Sequence, residues 1–389
     1  MRRETDPLNA HNQRIVMASP IRPDAREGGA AHQRALYECF TRLGAEVVLL
    51  APGPAQTTAT SSCVFTPSTR DWGLPAACDA LWQIPMIAWL RVTRRMRTLY
   101  VRAGLFAVAQ VLCARLLGMH VIVEHNSWNS REREARGGGR WGNHLERWAQ
   151  VAAARLAQRS RCVTPGIARL LEAAGCPPAR LIVIGNGTDL ANNAPLPSAP
   201  PVDGRIRLGF IGLLTVWQGL TTAIEALALL RDEDRFVLTI AGDGPERAAL
   251  ERQVEALGLG AAVRFMGHVP QAETAGVIAA CDIAIAPYTR ARNEEIGLSA
   301  IKIRDYAACG RPVVAARLPG IEELEDAGWL FTHRPDDAAD LVRVLTEVAA
   351  LPAAARAAAG EAARAYAERH FDWSAIAARI LSDCGEDGR

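Results

Sequence analysis

The sequence predicts an α/β protein made of two parallel-sheet halves, and three features carry that prediction. Short, strongly apolar runs recur along the chain and alternate with stretches of helical spacing; the runs fall into two series; and a Pro-rich polar stretch separates the series. The first series is RIVMASP (14–20), EVVLLAP (46–52), RTLYVRA (97–103), HVIVEHN (120–126) and RLIVIGN (180–186). Runs this apolar suit strands covered by helices on both faces of a sheet. RIRLGFIGLL (205–214), FVLTIAG (236–242), VRFMGHV (263–269), CDIAIAP (281–287) and RPVVAA (311–316) repeat the rule, so a second half of the same class is expected. Between the halves, TDLANNAPLPSAPPVDG (188–204) has the composition of a linker. A length of 389 residues agrees with two domains. The division reads as a tail at 1–13, a first domain at 14–190, a linker at 191–204 and a second domain at 205–365, with an Ala-rich helical end.

Composition narrows the partners. A net charge of +2 lacks the basic footprint of a nucleic-acid binder, so no nucleic acid is expected. The nine cysteines are odd in number and scattered, without a C-x-x-C pair or zinc spacing, which argues against a disulfide framework and a structural metal. Reduced thiols suit the cytoplasm. The first residues have no continuous apolar stretch of the secretory kind. Residues 84–102, IPMIAWLRVTRRMRTLYVR, are too short and charged to span a bilayer. They read either as a solvated helix face or as a basic amphipathic surface in peripheral contact with anionic lipid, on the inner membrane face.

The stretch with most chemistry is LSAIKIRDYAACGRPVV (298–314). It holds Lys302, the only lysine of the chain. A helix starting near Leu298 would put Ser299, Lys302 and Asp305 on one face. A cation is unfavourable at a helix N-terminus unless an anion sits there, and the unpaired N–H groups and the dipole also attract one. Asp305 would accept hydroxyl hydrogen bonds, as from a ribose. The plainer alternative is a surface ion pair worth roughly 0.2–0.5 kcal/mol. In GFIGLLTVWQG (209–219), Gly212 would allow close backbone approach to a phosphate and Gly219 would free the helix entry. Gly28 and Gly29 do the same after the first strand. AGDGPER (241–247) is equally good helix-start chemistry. His125 ends its strand where open sheets present ligand-binding groups. Asp232-Glu233-Asp234 matches a metal-binding D-x-D pattern but reads as a solvated turn in RDEDR.

Together, GFIGLLTVWQG, LTIAGDGPER, VRFMGHV, CDIAIAPY and LSAIKIRDYAACGRPVVA, in this order, resemble the retaining glycosyltransferases of family 4, which have the GT-B fold of two Rossmann-like domains facing a central cleft. The Gly28-Gly29 loop, His125 and IGNGTD (184–189) extend the likeness into the first half, and the lysine block is similar to a subgroup reading S-P-x-K-x-x-E-Y. The resemblance implies a nucleoside-diphosphate-sugar co-substrate, a UDP-sugar in preference to a GDP-sugar, bound mainly by the second domain. It implies an acceptor of unknown identity on the first domain, no cofactor, no metal, and a helix at 366–389 packing back on the first domain. Residue by residue, Asp305 stands for the glutamate that holds ribose, while Glu295 lies near the place of the partner glutamate, which strict spacing puts at Gly297. Ser299, Ala300 and Ile301 match diphosphate-binding amides, and His268 and Val269 match the backbone that meets the base. Gly212, Gln218, Gly242, Gly244, Gly28 and Gly29 complete the donor side. His125 matches a residue near the transferred sugar, and Asn126 and Arg102 are placed on the acceptor side. Leu213 and Gln218 occupy positions where many relatives carry arginine and lysine, which leaves Lys302 as the main charge on the leaving group, with Arg292 or Arg304 in reserve. The implied reaction is retaining transfer to the hydroxyl of a lipid-linked or polysaccharide precursor or a small natural product. The alternatives are a sugar-nucleotide epimerase of the same fold and a catalytically weak nucleotide-sugar-binding module.

Overall fold

The computed structural model describes residues 13–22, 28–53, 63–67, 78–135, 137–197, 204–231 and 235–384. The expected tail before residue 13, residues 198–203 of the expected linker and the D-x-D stretch at 232–234 lie outside the described residues. The chain divides into two compact units, Met1–Asn186 with Trp373–Arg389, and Gly187–Asp372. Thr188 to Asn193, read as the end of a domain and the start of a linker, therefore lie inside the second unit, and the returning segment begins at Trp373.

In the first unit, strands β1 (Arg14–Ala18), β2 (Glu46–Gly53), β3 (Cys63–Pro67), β4 (Thr98–Arg102), β5 (His120–His125), β6 (Arg159–Cys162) and β7 (Leu181–Val183) form one sheet of order β3-β2-β1-β4-β5-β6-β7. The pairings are parallel; Val16 of β1, for example, sits opposite Val48 on one side and Leu99 on the other. Alternate residues of β1 face opposite layers. Val16 and Ala18 pack with Ile87, Leu90, Val111 and Ala153 under the helices Asp79–Thr93, Ala107–Leu116 and Arg140–Leu156. Ile15 and Met17 pack with Leu36, Phe40, Ala377 and Ile380 under Gly28–Arg42 and Trp373–Cys384. Burial of both faces is why the strands read as continuous apolar runs.

The second unit contains β8 (Ile206–Ile211), β9 (Phe236–Ala241), β10 (Val263–Gly267), β11 (Ile283–Ala286), β12 (Val313–Ala316) and β13 (Leu330–His333), in the order β10-β9-β8-β11-β12-β13. The order reverses between β8 and β11, so the crevice at a topological switch point lies beyond their carboxyl ends. One face is covered by Leu220–Leu229, Arg247–Ala256 and Ala338–Ala350, the other by Ile301–Ala308 and Ala353–His370.

Strands β3, β6 and β13 are absent from the apolar runs of the sequence. β6 reads RSRC, and its Arg161 is fully buried by ion pairing, so polarity hid it. The segment 84–102 is not one amphipathic helix. Its helix stops at Thr93, Arg95 takes a left-handed φ of 53°, Leu90 and Met96 enter the core, and β4 begins at Thr98. Among the described residues no helix is long and apolar enough to cross a membrane.

The turns after β8, β9 and β10 are stitched together by Gly212 N donating to Ala241 O (3.0 Å) and Gly242 N donating to Gly267 O (2.7 Å). Gly242 has a φ of 146°, and a Cβ there would lie 1.9 Å from Gly212 O. Gly258 has a φ of 68° with open space around it. Gly242→Ala is thus expected to destabilise by at least about 2 kcal/mol and Gly258→Ala by only about 1 kcal/mol, read from urea midpoints. Equal losses would show that close backbone approach is not what Gly242 provides.

Candidate functional site

The carboxyl edge of the second sheet gathers most of the residues expected on the donor side. Gly212 follows β8, Gly242 and Gly244 follow β9, and His268 (exposed) and Val269 (half-buried) follow β10. Gly242 and Gly244 have a local reason to be glycine, since a Cβ on Gly244 would come within 2.4 Å of Leu214 O. Gly212 is different. A Cβ there would meet Lys302 Nζ at 2.9 Å, so the missing side chain makes room for the ammonium.

The helix carrying Lys302 runs from Ile301 to Ala308, later than the expected start at Leu298. Gly297 takes a φ of 71° and Leu298 N donates to Pro319 O at 2.8 Å, which holds the chain before Ala300 out of the helix. Ser299 and Ala300 therefore precede the helix, Ile301 opens it, and its N-cap residue is Ala300, whose methyl side chain cannot cap. Lys302 Nζ lies 3.6 Å from the Phe210 ring centroid and 5.3 Å from that of Tyr288, and it donates to Gln218 Oε1 at 2.6 Å. Among the described residues no carboxylate pairs with it, so the surface ion pair with Asp305 is not formed. Desolvation holds its pKa well below the ordinary lysine value. Gln218, where relatives of this kind were expected to carry a cation, instead fixes the ammonium through a neutral acceptor.

Asp305 is placed differently from its expected role. Its Oδ1 accepts from Thr188 Oγ1 (2.6 Å) and Asn193 Nδ2 (3.0 Å), and Asn193 Nδ2 also donates to Thr188 Oγ1 at 2.9 Å. One carboxyl oxygen is thus a strut to the start of the second unit. Burial pushes its pKa up to about 7, with the Thr188 hydrogen bond opposing. Thr188 and Asn193 were missed in the sequence because they fall in a stretch with linker composition. Glu295 is exposed on the helix Arg290–Ile296. Arg304 is buried, donates to Ala300 O at 2.9 Å and stacks 4.8 Å from the Phe371 ring, while Arg292 lies 5.0 Å from the Trp217 ring. Neither is placed with Lys302 by these contacts. Tyr306 Oη accepts from Ile211 N at 2.8 Å and ties the lysine helix to the end of β8.

In the first unit, Gly28 and Gly29 open the helix Gly28–Arg42, and a Cβ on Gly29 would lie 3.1 Å from Arg102 Nη1 at the end of β4. His125 is fully buried, with Nδ1 against Gln150 Nε2 (3.2 Å) and Nε2 against Ser160 Oγ (3.4 Å). Burial lowers its pKa to about 4, so it is neutral at pH 7. Both ring nitrogens of His125, expected near the transferred sugar, are thus engaged inside the unit. Asn126, next in sequence, is half-buried. The sequence reading also missed a buried charged cluster. Glu124 accepts from Arg161 Nη1 and lies 2.7 Å from His32 Nε2, and Arg161 also donates to Tyr100 Oη (3.1 Å), Ile184 O (3.1 Å) and Gly185 O (2.7 Å). Burial alone would raise the Glu124 pKa, but His32 and Arg161 pull it well below the carboxylate range. The available signal was a glutamate inside the apolar run HVIVEHN.

The Asp305 shift gives a signed prediction. A carboxyl whose folded pKa is about 7 against an ordinary 3.8 favours folding fully below pH 4, and that contribution declines as pH rises through 7. Asp305→Asn lacks the decline, so its stability relative to the wild type should increase between pH 4 and pH 8 by at most about 4 kcal/mol, measured by urea unfolding. A difference independent of pH would contradict the raised pKa.

Comparison with known proteins agrees with this architecture. Residues 26–192 match the family described as Glycosyltransferase Family 4, and residues 205–350 match Glycosyl transferases group 1. Glycogen synthase from Mycobacterium tuberculosis is 33% identical over 201 residues, which is 51% of this chain and 47% of that protein. The chain thus spans about half the length of the curated relatives it matches. Among solved structures, sucrose-phosphate synthase from Thermosynechococcus elongatus superposes with a TM-score of 0.75 at 18% identity, covering 95% of this chain and 98% of the other. Anabaena HepE in complex with UDP-glucose superposes with a TM-score of 0.71 at 17% identity, covering 95% and 98%. The chain therefore has the fold of the GT-B glycosyltransferases, with a Glycosyltransferase Family 4 match over its first unit and a group 1 match over its second.

Proposed function

We propose that this chain transfers a sugar from a nucleoside-diphosphate sugar to an acceptor hydroxyl, with retention at the anomeric carbon and with the donor held by the second unit. The observation that carries the reading is the Lys302 ammonium, which stands beside the Gly212 turn with no carboxylate among the described residues to neutralise it. A diphosphate leaving group gains negative charge as its bond to the sugar loosens. A preplaced cation and the amide end of Ile301–Ala308 stabilise that charge more in the transition state than in the ground state.

The bond changes balance without a protein nucleophile. The C1–O bond breaks with its electron pair going to the diphosphate, the acceptor oxygen bonds to C1 from the same face, and the acceptor proton passes to a phosphate oxygen of the leaving group. Gln218 keeps Lys302 aimed at the turn without adding a competing negative charge. His125, buried and neutral, acts in this scheme as a positioning residue at the end of β5. The second oxygen of Asp305 remains for a ribose hydroxyl. UDP in the HepE complex supports a UDP-sugar in preference to a GDP-sugar, and a polysaccharide or lipid-linked precursor or a small natural product supplies the hydroxyl.

Lys302→Met is expected to lower kcat by about 10²-fold, as for loss of one group that stabilises an oxyanion. UDP release from a panel of UDP- and GDP-sugars with acceptor present measures it, and the anomeric configuration of the product, read by NMR, tests retention. Near-normal turnover in Lys302→Met would remove the lysine from the mechanism.

A further inference from the structure

The first unit carries an outer face that the transferase reading does not use. Three helices, Asp79–Thr93, Ala107–Leu116 and Arg140–Leu156, lie side by side over one face of the sheet and bury Ile87, Val111 and Ala153 beneath them. Every exposed large apolar side chain described in this unit sits on these three helices, except Val183. Four of these ten side chains are tryptophans: Trp141 is 90% exposed, Trp148 60%, Trp89 46% and Trp82 45%. The helices on the opposite face of the same sheet, Gly28–Arg42 and Trp373–Cys384, expose no large apolar side chain among their described residues. A monomeric surface rarely gathers so much apolar area on one side without a use for it.

The exposed charges on these three helices are arginines. Arg115 and Arg147 are exposed on these helices, and Arg95 and Arg97 on the turn that follows Asp79–Thr93. The only carboxylates of the three helices are Asp79, which is buried, and Glu146, half-buried with its pKa raised by desolvation. Acidic neighbours lie on adjoining helices, Glu132 and Glu134 on Asn129–Ala135, where Glu134 pairs with Arg131 at 3.1 Å, and the exposed Glu172 on Pro165–Ala173. Tryptophan rings favour the headgroup level of a bilayer, and arginine favours phosphate oxygens. Helices that combine the two lie flat in the interface and are held by apolar burial together with attraction to anionic lipid.

We propose that the outer face of these three helices docks on an anionic bilayer surface, with Trp89, Trp141 and Trp148 at headgroup depth and the arginines on lipid phosphates. This extends the basic amphipathic surface expected of residues 84–102 to two further helices, as a face assembled by the fold. The proposal stands independently of the sugar-transfer chemistry.

Full-length protein is tested by cosedimentation and tryptophan emission with vesicles of phosphatidylcholine containing about one-third phosphatidylglycerol, and with phosphatidylcholine alone. Binding to the anionic vesicles with a blue-shifted emission, weakened by salt and by omission of phosphatidylglycerol, is the expected result. Trp89→Ser with Trp148→Ser, and Arg95→Glu with Arg147→Glu, should each bind at least about tenfold more weakly while keeping the wild-type unfolding midpoint. No binding to anionic vesicles, or equal binding by these variants, overturns the proposal. So does sedimentation velocity showing a dimer that Trp89→Ser with Trp148→Ser dissociates, because a second copy would then cover the face.

Discussion

An ammonium group that no carboxylate among the described residues pairs with is the constraint that organises the carboxyl edge of the second sheet. Taking a lysine out of water is unfavourable, and the available compensation here is partial. A ring face such as that of Phe210 contributes about 0.5–2 kcal/mol, and a charge-assisted hydrogen bond such as that from Lys302 to Gln218 about 1.5–3 kcal/mol. The depressed pKa follows from that shortfall. An anion arriving at the Gly212 turn would make it good, so affinity for a diphosphate and the strained protonation of Lys302 are two sides of one free energy.

The surrounding residues make sense in relation to that group. Gly212 leaves the volume the ammonium needs, Tyr306 fixes the lysine helix to β8, and Gly242 brings the next turn against Gly212. The first unit repeats the device at its own switch point. Gly29 leaves space beside the Arg102 guanidinium, and the strand next to Arg102 carries Glu124, locked by Arg161 and His32. In both units a glycine at the start of the first helix or turn stands where a cation needs room. Fully paired buried charges of the Glu124 kind hold a local geometry, whereas an incompletely compensated one such as Lys302 would gain from an arriving anion, as the proposed function requires.

The sequence revealed the two parallel sheets because buried strands need apolar residues, and β1, β2, β4, β5 and most of the second series are such runs. β6 was hidden because an arginine can be fully buried when Glu124, Tyr100 and backbone carbonyls satisfy it. Lys302 was legible from its uniqueness and its place in the first turn of a helix. Its partner was not, since a glutamine 84 residues away has no pattern that points to a lysine. Asp305 was assigned to a ligand, yet one of its oxygens is bonded to Thr188 and Asn193, residues whose composition resembles a linker. His125 was placed correctly at the end of a strand, but its burial depends on Gln150 and Ser160, which lie on other elements.

Because Lys302 is the only lysine in the chain, protein labelled with nitrogen-15 at the lysine side chain reports on this one ammonium alone. Its NMR titration, with and without UDP, is the most direct measurement of the central claim. The account predicts a pKa well below the ordinary 10.5 in the free protein and an upward shift when UDP binds. A titration near 10.5 that does not respond to UDP would contradict it.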